Sequence, residues 1–249
     1  MRFIKMLWFG GLLVLVIAPL LWSAGMVHGG AVTHWSQTRW DSAGLAPDPA
    51  TTPEAVVQVY AARAWGWKGI LAVHSWIVMK REGAVAFERY EVVGWGVRRG
   101  APAIRKDMRA IDGYWAGNPP RILVEHRGPG VDALIDRIEA AIACYPYPDQ
   151  YRTWPGPNSN TFIAHIGREV PELGLDMPPI AVGKDYLTNG SLVARTPSGS
   201  GVQLSLLGVL GLSVGRTEGL EINLFGLIIG IDPLGLALKL PGVGRIGLN

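Results

Sequence analysis

A long uncharged segment follows two basic residues at the N-terminus and restricts how this chain can be placed. Arg2 and Lys5 precede an apolar run from Met6 to Trp22, and no further charged residue occurs before Arg39. Such a run offers no polar face for solvent, so it does not suit a helix at the surface of a globular core. About 20 apolar residues can cross a bilayer, and preceding basic residues favour a cytoplasmic N-terminus. Residues 1–27 are therefore predicted to be a transmembrane anchor.

A cleaved signal peptide is the alternative for this segment. Ser23 and Ala24 are small residues that precede a cleavage point after Gly25, although Trp22 crowds that point. The apolar part of a signal peptide is usually about 7–15 residues long, which is shorter than the stretch from Met6 to Val27. Either interpretation places the bulk of the chain on the non-cytoplasmic side, which in a bacterium is the periplasmic side of the inner membrane. The membrane is thus one expected partner.

Composition narrows the class of protein. Hydrophobic residues make up 49% of the 249 residues and charged residues 17%, which is typical of globular or membrane-linked chains and not of disordered ones. The formal net charge is +3, and removing Arg2 and Lys5 leaves 3 − 2 = +1. This balance argues against nucleic acid as a partner. The single cysteine, Cys144, excludes an internal disulfide and a thiolate zinc site. The sequence does not indicate an oligomeric state.

The middle of the chain predicts an α+β domain. Residues 28–52 are rich in turn-forming residues and are expected to be a linker, and residues 53–197 form the predicted core domain. Thr52 suits an N-cap and Pro53 the first helical position, which predicts a helix that begins at Pro53 and ends at Gly66 or Gly69. β-branched and aromatic residues on both sides of Glu82-Gly83 then predict a β-hairpin, 70–79 with 85–93.

Further elements follow in the same domain. Residues 121–126 predict a strand, and apolar spacing predicts a helix from Val131 to Ala143. A second helix is expected after Trp154-Pro155-Gly156-Pro157, and Pro171 closes it. We therefore expect a small antiparallel sheet packed by helices.

The last part of the chain changes character. Residues 198–249 are rich in glycine and leucine, and Val202, Leu204 and Leu206 alternate with polar residues. Alternation with a period of two is typical of β-strands. We expect a glycine-rich β-meander whose large apolar surface rests on a membrane or on another subunit.

One set of residues suggests chemistry. Ser159 lies at a predicted helix start, where free N–H groups and the helix dipole favour an oxyanion, and His74 on the hairpin is a candidate base. A two-residue loop at Glu82-Gly83 would place His74 opposite Glu91, which could orient the imidazole. The same register would place Trp76 opposite Arg89 as a cation–π pair.

Each of these residues also has a structural interpretation. Ser159 is a natural helix N-cap, His74 is an ordinary strand residue, and Glu91 can pair with a nearby arginine. His126 and His165 do not fall in a metal-ligand spacing, so no metal site is expected. No glycine-rich loop has dinucleotide- or phosphate-binding spacing, so no cofactor is expected either. Cys144 is predicted to be a small buried side chain.

These residues carry a resemblance to known proteins. The stretches His74-Ser75-Trp76-Ile77 and Trp154 to Phe162 resemble a bacterial family catalogued as domain of unknown function 3750, over roughly residues 55 to 190. More distantly, the segment from Asn158 to Phe162 is similar to the nucleophile segment of circularly permuted papain-like proteins of the NlpC/P60 and lecithin-retinol acyltransferase type. Ser159 stands where those proteins have cysteine, and His74 stands where they have the first histidine.

The papain-like resemblance implies an activity and a fold. It implies a permuted papain-like arrangement in which Ser159 attacks an amide or ester, His74 is the base and Glu91 orients it. Asn158 and Asn160 would form the oxyanion site or position the substrate, which by analogy is lipid or cell-wall peptide. The alternative is an envelope module that has lost catalysis and holds a lipid or a partner protein.

Overall fold

The computed structural model describes residues 10–11, 13–28 and 37–248. Near the N-terminus a π-helical segment, Leu13–Ile17, leads into helix α1, Ala18–His28. Within the described residues, no helix combines the length and the hydropathy needed to cross a bilayer. The predicted anchor falls partly on residues 1–9 and 12, and the predicted linker partly on 29–36, which lie outside the described ranges. The anchor therefore stays a prediction.

A five-stranded sheet forms the centre of the core, and all its neighbouring strands are antiparallel. The strand order is β4-β3-β2-β1-β5, and a short helix α2, Lys68–Leu71, connects β1 to β2. The strands are β1 Val56–Arg63, β2 Val73–Lys80, β3 Glu88–Val92, β4 Ile104–Lys106 and β5 Arg121–Arg127. The α+β class and the antiparallel sheet are confirmed.

The predicted helix that begins at Pro53 is wrong, because this stretch contains β1. Strand β1 lies between β2 and β5 and is buried on both faces. A strand buried on both faces has a continuous apolar run in place of alternation, and Val-Val-Gln-Val-Tyr also carries β-branched residues. The Thr52-Pro53 pair therefore precedes a strand and caps no helix.

Two helices cover one face of this sheet. Helix α3 spans Val131–Ala143, as predicted, and helix α4 spans Ser159–Glu169 and is followed by a 3₁₀ turn that begins at Pro171. Their apolar sides meet alternate residues of β1 and β2 in the main core. This core includes Val57, Val59, Ala61, Val73, Ile77, Met79, Leu134, Ile138, Phe162, Ile163 and Ile166.

The opposite face of the five-stranded sheet holds a smaller core that is rich in aromatic residues. It consists of Val56, Tyr60, Ala62, Trp76, Val78, Phe87, Val93 and Trp115. Loop residues between β3 and β5 supply Trp115, so this core is closed by a loop and not by a helix. His74, Arg89 and Glu91 lie on this second face, in register with Trp76.

A seven-stranded antiparallel meander forms the C-terminal part. The predicted β-meander is confirmed, although its first strand begins at Val193, before the predicted start at 198. Each strand pairs with the next along the chain. The strands are β6 Val193–Arg195, β7 Gly201–Leu206, β8 Leu210–Gly215, β9 Gly219–Leu224, β10 Leu227–Asp232, β11 Ala237–Leu240 and β12 Gly244–Gly247.

Candidate active site

The β2–β3 hairpin places Glu91 near His74, but by a different pairing from the predicted one. Trp76, not His74, pairs with Glu91, and Val78, not Trp76, pairs with Arg89. The predicted two-residue loop is wrong, because the last pair before the loop is Met79 with Glu88. The register differs by two residues. A shift of two keeps every side chain on its face of the sheet.

His74 therefore meets Glu91 as a diagonal neighbour. The His74 Nε2 atom lies 2.8 Å from Glu91 Oε2, and the Arg89 Nη2 atom donates to the same oxygen at 3.0 Å. His74 is 5% exposed, and Arg89 and Glu91 are each 1% exposed. The guanidinium of Arg89 also lies 4.3 Å from the Trp76 ring centroid, which confirms the predicted cation–π contact.

Aromatic side chains fix the imidazole plane. The Trp115 ring stacks on His74 with a centroid separation of 3.5 Å and an interplanar angle of 12°. The Trp76 ring centroid lies 5.8 Å from that of His74, and Trp95 stacks on Trp115 with a centroid separation of 5.3 Å. The ring of His74 is thus held in one orientation.

Burial and the two neighbours set the protonation states. Burial lowers the pKa of His74 below its usual value, although the hydrogen bond with Glu91 acts in the opposite direction. Burial also acts to raise the pKa of Glu91, but His74 and Arg89 outweigh it, and this pKa lies below its usual value. At neutral pH the pair is therefore a neutral imidazole that donates from Nε2 to a carboxylate. The Nδ1 atom is left as the proton acceptor.

The start of α4 is organised by Asn158. Its side-chain oxygen accepts from the N–H groups of Asn160 and Thr161 at 2.9 and 3.1 Å. In return, the Thr161 hydroxyl accepts from the backbone N–H of Asn158 at 3.2 Å. This is a capping box. Ser159 is therefore the first residue inside the helix, and the interpretation of Ser159 as the N-cap is wrong.

The side chains of both asparagines are occupied within the fold. The Asn158 Nδ2 atom donates to the carbonyls of Thr153 and Val182, at 3.0 and 3.1 Å. The Asn160 Nδ2 atom donates to the carbonyls of Val73 and Val182, each at 2.9 Å. Asn158 and Asn160 thus position the helix start against the beginning of β2.

The side chain of Ser159 has no such structural role. It is 4% exposed, and its hydroxyl makes no hydrogen bond with any residue that the structure describes. The capping box uses the N–H groups of Asn160 and Thr161, so the Ser159 N–H is a helix-start donor that the cap leaves unused. A hydroxyl and a free N–H thus occur on one residue.

A cavity of about 1050 Å³ connects these groups. Both His74 and Ser159 line it. Aromatic residues contribute much of its wall: Trp65, Trp67, Trp95, Trp115, Tyr151, Trp154 and Phe225. Its basic residues are Lys68, Arg98, Arg99 and Arg152, and none of the described residues that line it is acidic.

The two candidate residues reach this cavity from different sides of the sheet. Ser75 lies on the α4 side, where its hydroxyl donates to Asn160 Oδ1 at 2.8 Å, so the neighbouring His74 lies on the other face. His74 is the second residue of β2, and at the beginning of this strand the cavity joins the two faces. The structure describes no hydrogen bond between Ser159 and His74.

Some features of the site could not be found from the sequence. Trp115 belongs to an isolated bridge in a loop and has no periodic pattern that would indicate contact with His74. Cys144 was expected to be buried but is exposed at the end of α3. In the described part of the chain, no group of three or more His, Cys, Asp or Glu side chains is arranged to hold a metal ion.

Comparison with known proteins gives one match. The family model described as protein of unknown function (DUF3750) matches residues 54–186, which include His74, Glu91 and Ser159. No curated protein and no solved structure matches, so nothing in these comparisons supports the papain-like relationship. Because the match covers more than half of the chain, this protein belongs to the family of unknown function DUF3750.

Proposed function

We propose that this protein is an envelope hydrolase or acyltransferase that uses Ser159 to attack an amide or ester bond. The observation that carries the proposal is the shared cavity, which is lined by the uncommitted Ser159 hydroxyl and by His74 with its buried carboxylate partner. A serine hydroxyl needs an adjacent base to become nucleophilic, and a neutral imidazole oriented by a carboxylate is such a base.

The proposed reaction assigns one role to each group. Ser159 Oγ bonds to the acyl carbon while its proton passes to His74 Nδ1, and Glu91 stabilises the imidazolium. The Ser159 N–H at the helix start donates to the oxyanion. The bond to the leaving group then breaks, and His74 returns the proton to the leaving nitrogen or oxygen. Water or an acceptor hydroxyl or amine releases the acyl group in the reverse sequence. Ser159 and His74 must come within hydrogen-bond reach in the substrate complex.

The cavity lining supports an apolar, anionic substrate. Indole and phenyl rings favour an apolar group, and the four basic side chains favour a negative charge. A lipid with an anionic group satisfies both requirements, whereas a cell-wall peptide satisfies chiefly the second. We therefore favour a lipid ester or amide.

Labelling with a fluorophosphonate probe tests the catalytic assignment. Detergent-solubilised protein should be labelled. Ser159→Ala should abolish the labelling, because the probe bonds to the Ser159 Oγ atom, and His74→Gln should reduce the labelling rate by roughly 10²–10⁴-fold. Ser191→Ala is the matched control and should label at the normal rate, because Ser191 lies in a partly exposed loop away from the cavity. Circular dichroism establishes that each variant folds.

The pH dependence of the same reaction identifies the base. Because burial lowers the pKa of His74, the neutral form persists as the pH falls through the usual histidine range. Labelling should therefore decline only at a pH below about 6.5. A folded wild type that is not labelled at any pH would exclude the catalytic proposal.

A non-catalytic binding module is the second candidate. It is favoured by one observation: His74 and Ser159 belong to opposite faces of the sheet and share no hydrogen bond in the described structure. In this function the cavity holds an anionic lipid, and the buried His74–Glu91–Arg89 group stabilises its wall. Lipid binding without labelling by the probe would identify it.

The proposal includes a membrane tether with the bulk of the chain on the non-cytoplasmic side. It is supported by the basic residues Arg2 and Lys5 before an uncharged apolar run. Fusions of alkaline phosphatase and of green fluorescent protein at residue 40 test it. We expect phosphatase activity and no fluorescence, and the reverse result would overturn the topology.

A further inference from the structure

One face of the C-terminal meander is made of aliphatic side chains. Along strands β7 to β10 every second residue points outward, and each of these residues is Leu, Ile or Val. We call this set the outer face. It consists of Val202, Leu204, Leu206, Leu210, Leu212, Val214, Leu220, Ile222, Leu224, Leu227, Ile229 and Ile231.

The strand register aligns these side chains into continuous rows. Leu204 pairs with Leu212, Leu212 with Ile222, and Ile222 with Ile229. In a neighbouring row, Ile231 pairs with Leu238 of β11. Directly opposed residues on one face have their Cβ atoms about 5 Å apart, so the rows form an unbroken apolar surface.

The inner face of the same sheet is polar and buried. Gln203 and Asn223 donate to the Asp185 carboxylate at 2.6 and 2.5 Å, and Lys239 donates to Glu221 at 2.7 Å. A sheet that faces water on one side normally buries its apolar face and exposes its polar one. This meander does the reverse, and the inner polar groups named above are paired with one another or with Asp185. The outer face is therefore suited to an apolar medium.

The apolar N-terminal helix is attached at one end of this sheet. Ser23 in the middle of α1 donates to the Ile70 carbonyl at 2.7 Å, and Arg63 donates to Ser23 Oγ at 3.0 Å. The same arginine donates to the carbonyl of Gly242, in the turn between β11 and β12, at 3.0 Å. Two apolar surfaces, α1 and the meander, are thus tied together through Arg63.

Exposed apolar residues also occupy the turns at this end. Leu207 in the β7–β8 turn is 64% exposed, and Phe225 in the β9–β10 turn is 66% exposed. Trp154 donates from its indole to the Phe225 carbonyl at 3.1 Å, and both residues line the cavity. Tryptophan and other aromatic residues are favoured at the boundary between lipid and water. The cavity therefore opens beside the apolar surface.

We propose that the outer face of the meander lies on a lipid bilayer, in addition to any contact made by the N-terminal helix. A bilayer accommodates the outer face, the exposed turns and α1 together, whereas a second copy of the sheet would cover only the outer face. The cavity mouth would then be at the lipid surface. The inference does not rest on the chemistry of Ser159, and its test measures position alone.

Spin labels on the full-length chain test this placement. In a Cys144→Ser background, Leu212→Cys places a label on the outer face, and Val85→Cys places a control label in the β2–β3 loop, where Val85 is 85% exposed. The protein is reconstituted in vesicles of phosphatidylcholine and phosphatidylglycerol. At position 212 we expect frequent collisions with oxygen and few with a water-soluble nickel chelate. At position 85 we expect the reverse.

Two results would overturn the proposal. Frequent nickel collisions at position 212 would mean that the outer face contacts water. Few collisions with both reagents, together with dipolar coupling between labels, would mean that a second copy covers the face. Ile222→Cys provides an independent label in the same row and should give the same pattern, which excludes a local distortion at position 212.

Discussion

Replacing Glu221 with glutamine is expected to lower the free energy of unfolding by roughly 3–5 kcal/mol. Glu221 is 2% exposed and lies between two lysines, Lys184 and Lys239, that are each 1% exposed. Both Nζ atoms donate to its carboxylate, and their next carboxylate contacts are longer, 3.8 Å to Asp185 and 3.6 Å to Asp176. Removing one partner of a buried ion pair leaves uncompensated charge, which costs far more than losing an exposed pair.

Urea unfolding of the purified protein in detergent measures this effect. The matched control is Glu172→Gln, which breaks an exposed pair with Arg137 and should cost less than about 1 kcal/mol. A loss of similar size in the two variants would show that the buried triad does not hold the meander to the core.

The effect of Glu221→Gln should also depend on pH. Burial acts to raise the pKa of Glu221, but the two lysines outweigh it, and this pKa lies below its usual value. Its stabilising contribution is therefore fully present above the usual glutamate pKa and is lost as the pH falls through the lower, folded value. The difference between wild type and variant should narrow on acidification.

Trp76→Ala is expected to lower the free energy of unfolding by about 3–5 kcal/mol, because it removes the largest fully buried side chain of the smaller core. Trp76 is fully buried, and its indole N–H donates to the Ile111 carbonyl at 2.8 Å. Its ring stacks on Tyr60 with a centroid separation of 5.5 Å and an interplanar angle of 11°. The guanidinium of Arg89, which donates to Glu91, lies over the Trp76 ring and would lose this cation–π contact.

The control for this change is Trp67→Ala, because Trp67 is 67% exposed at the cavity wall. Surface substitutions usually change stability by no more than about 0.5 kcal/mol. Thermal unfolding followed by circular dichroism compares the two variants. Equal losses would contradict the assignment of Trp76 to a separate, tightly packed core.

Local patterns in the sequence were enough to predict several elements. Helix α3 was predicted with its observed ends, because its apolar residues recur at helical spacing and Asp132 and Asp136 occupy the outer side. The hairpin and the meander were predicted from turn residues and from alternation. These elements are organised by neighbours in the chain, which a single sequence contains.

Strand β1 and the hairpin register were not predictable in the same way. A strand buried between β2 and β5 has apolar residues on both faces, so it loses the alternation that distinguishes a strand from a helix. The register depends on the length of the loop after Met79, which turn residues such as Glu82 and Gly83 do not determine. The contact of His74 with Glu91 was nevertheless predicted, because the predicted register differs from the observed one by two residues and such a shift keeps both side chains on the same face.

The candidate site was predicted in its members but not in its geometry. Asn158 and Ser159 are both common N-caps, and only the structure shows that Asn158 accepts the capping hydrogen bonds. Trp115, which stacks on His74, comes from a loop with no recognisable pattern. Contacts that depend on such a loop require the folded chain.

The buried polar contacts between the meander and the core determine whether the two parts can exist as separate fragments. Arg168 of α4 donates to Gln203 of β7 at 2.7 Å, while Lys184 and Asp185 bond Glu221 and Asn223 of β9. Each part of the molecule holds the counter-ions and hydrogen-bond partners of the other. Cutting the chain between the two sheets would leave unpaired buried ions on the first fragment. The second fragment would be a sheet with one apolar face and one charged face. The two sheets must therefore be produced, purified and crystallised as a single piece.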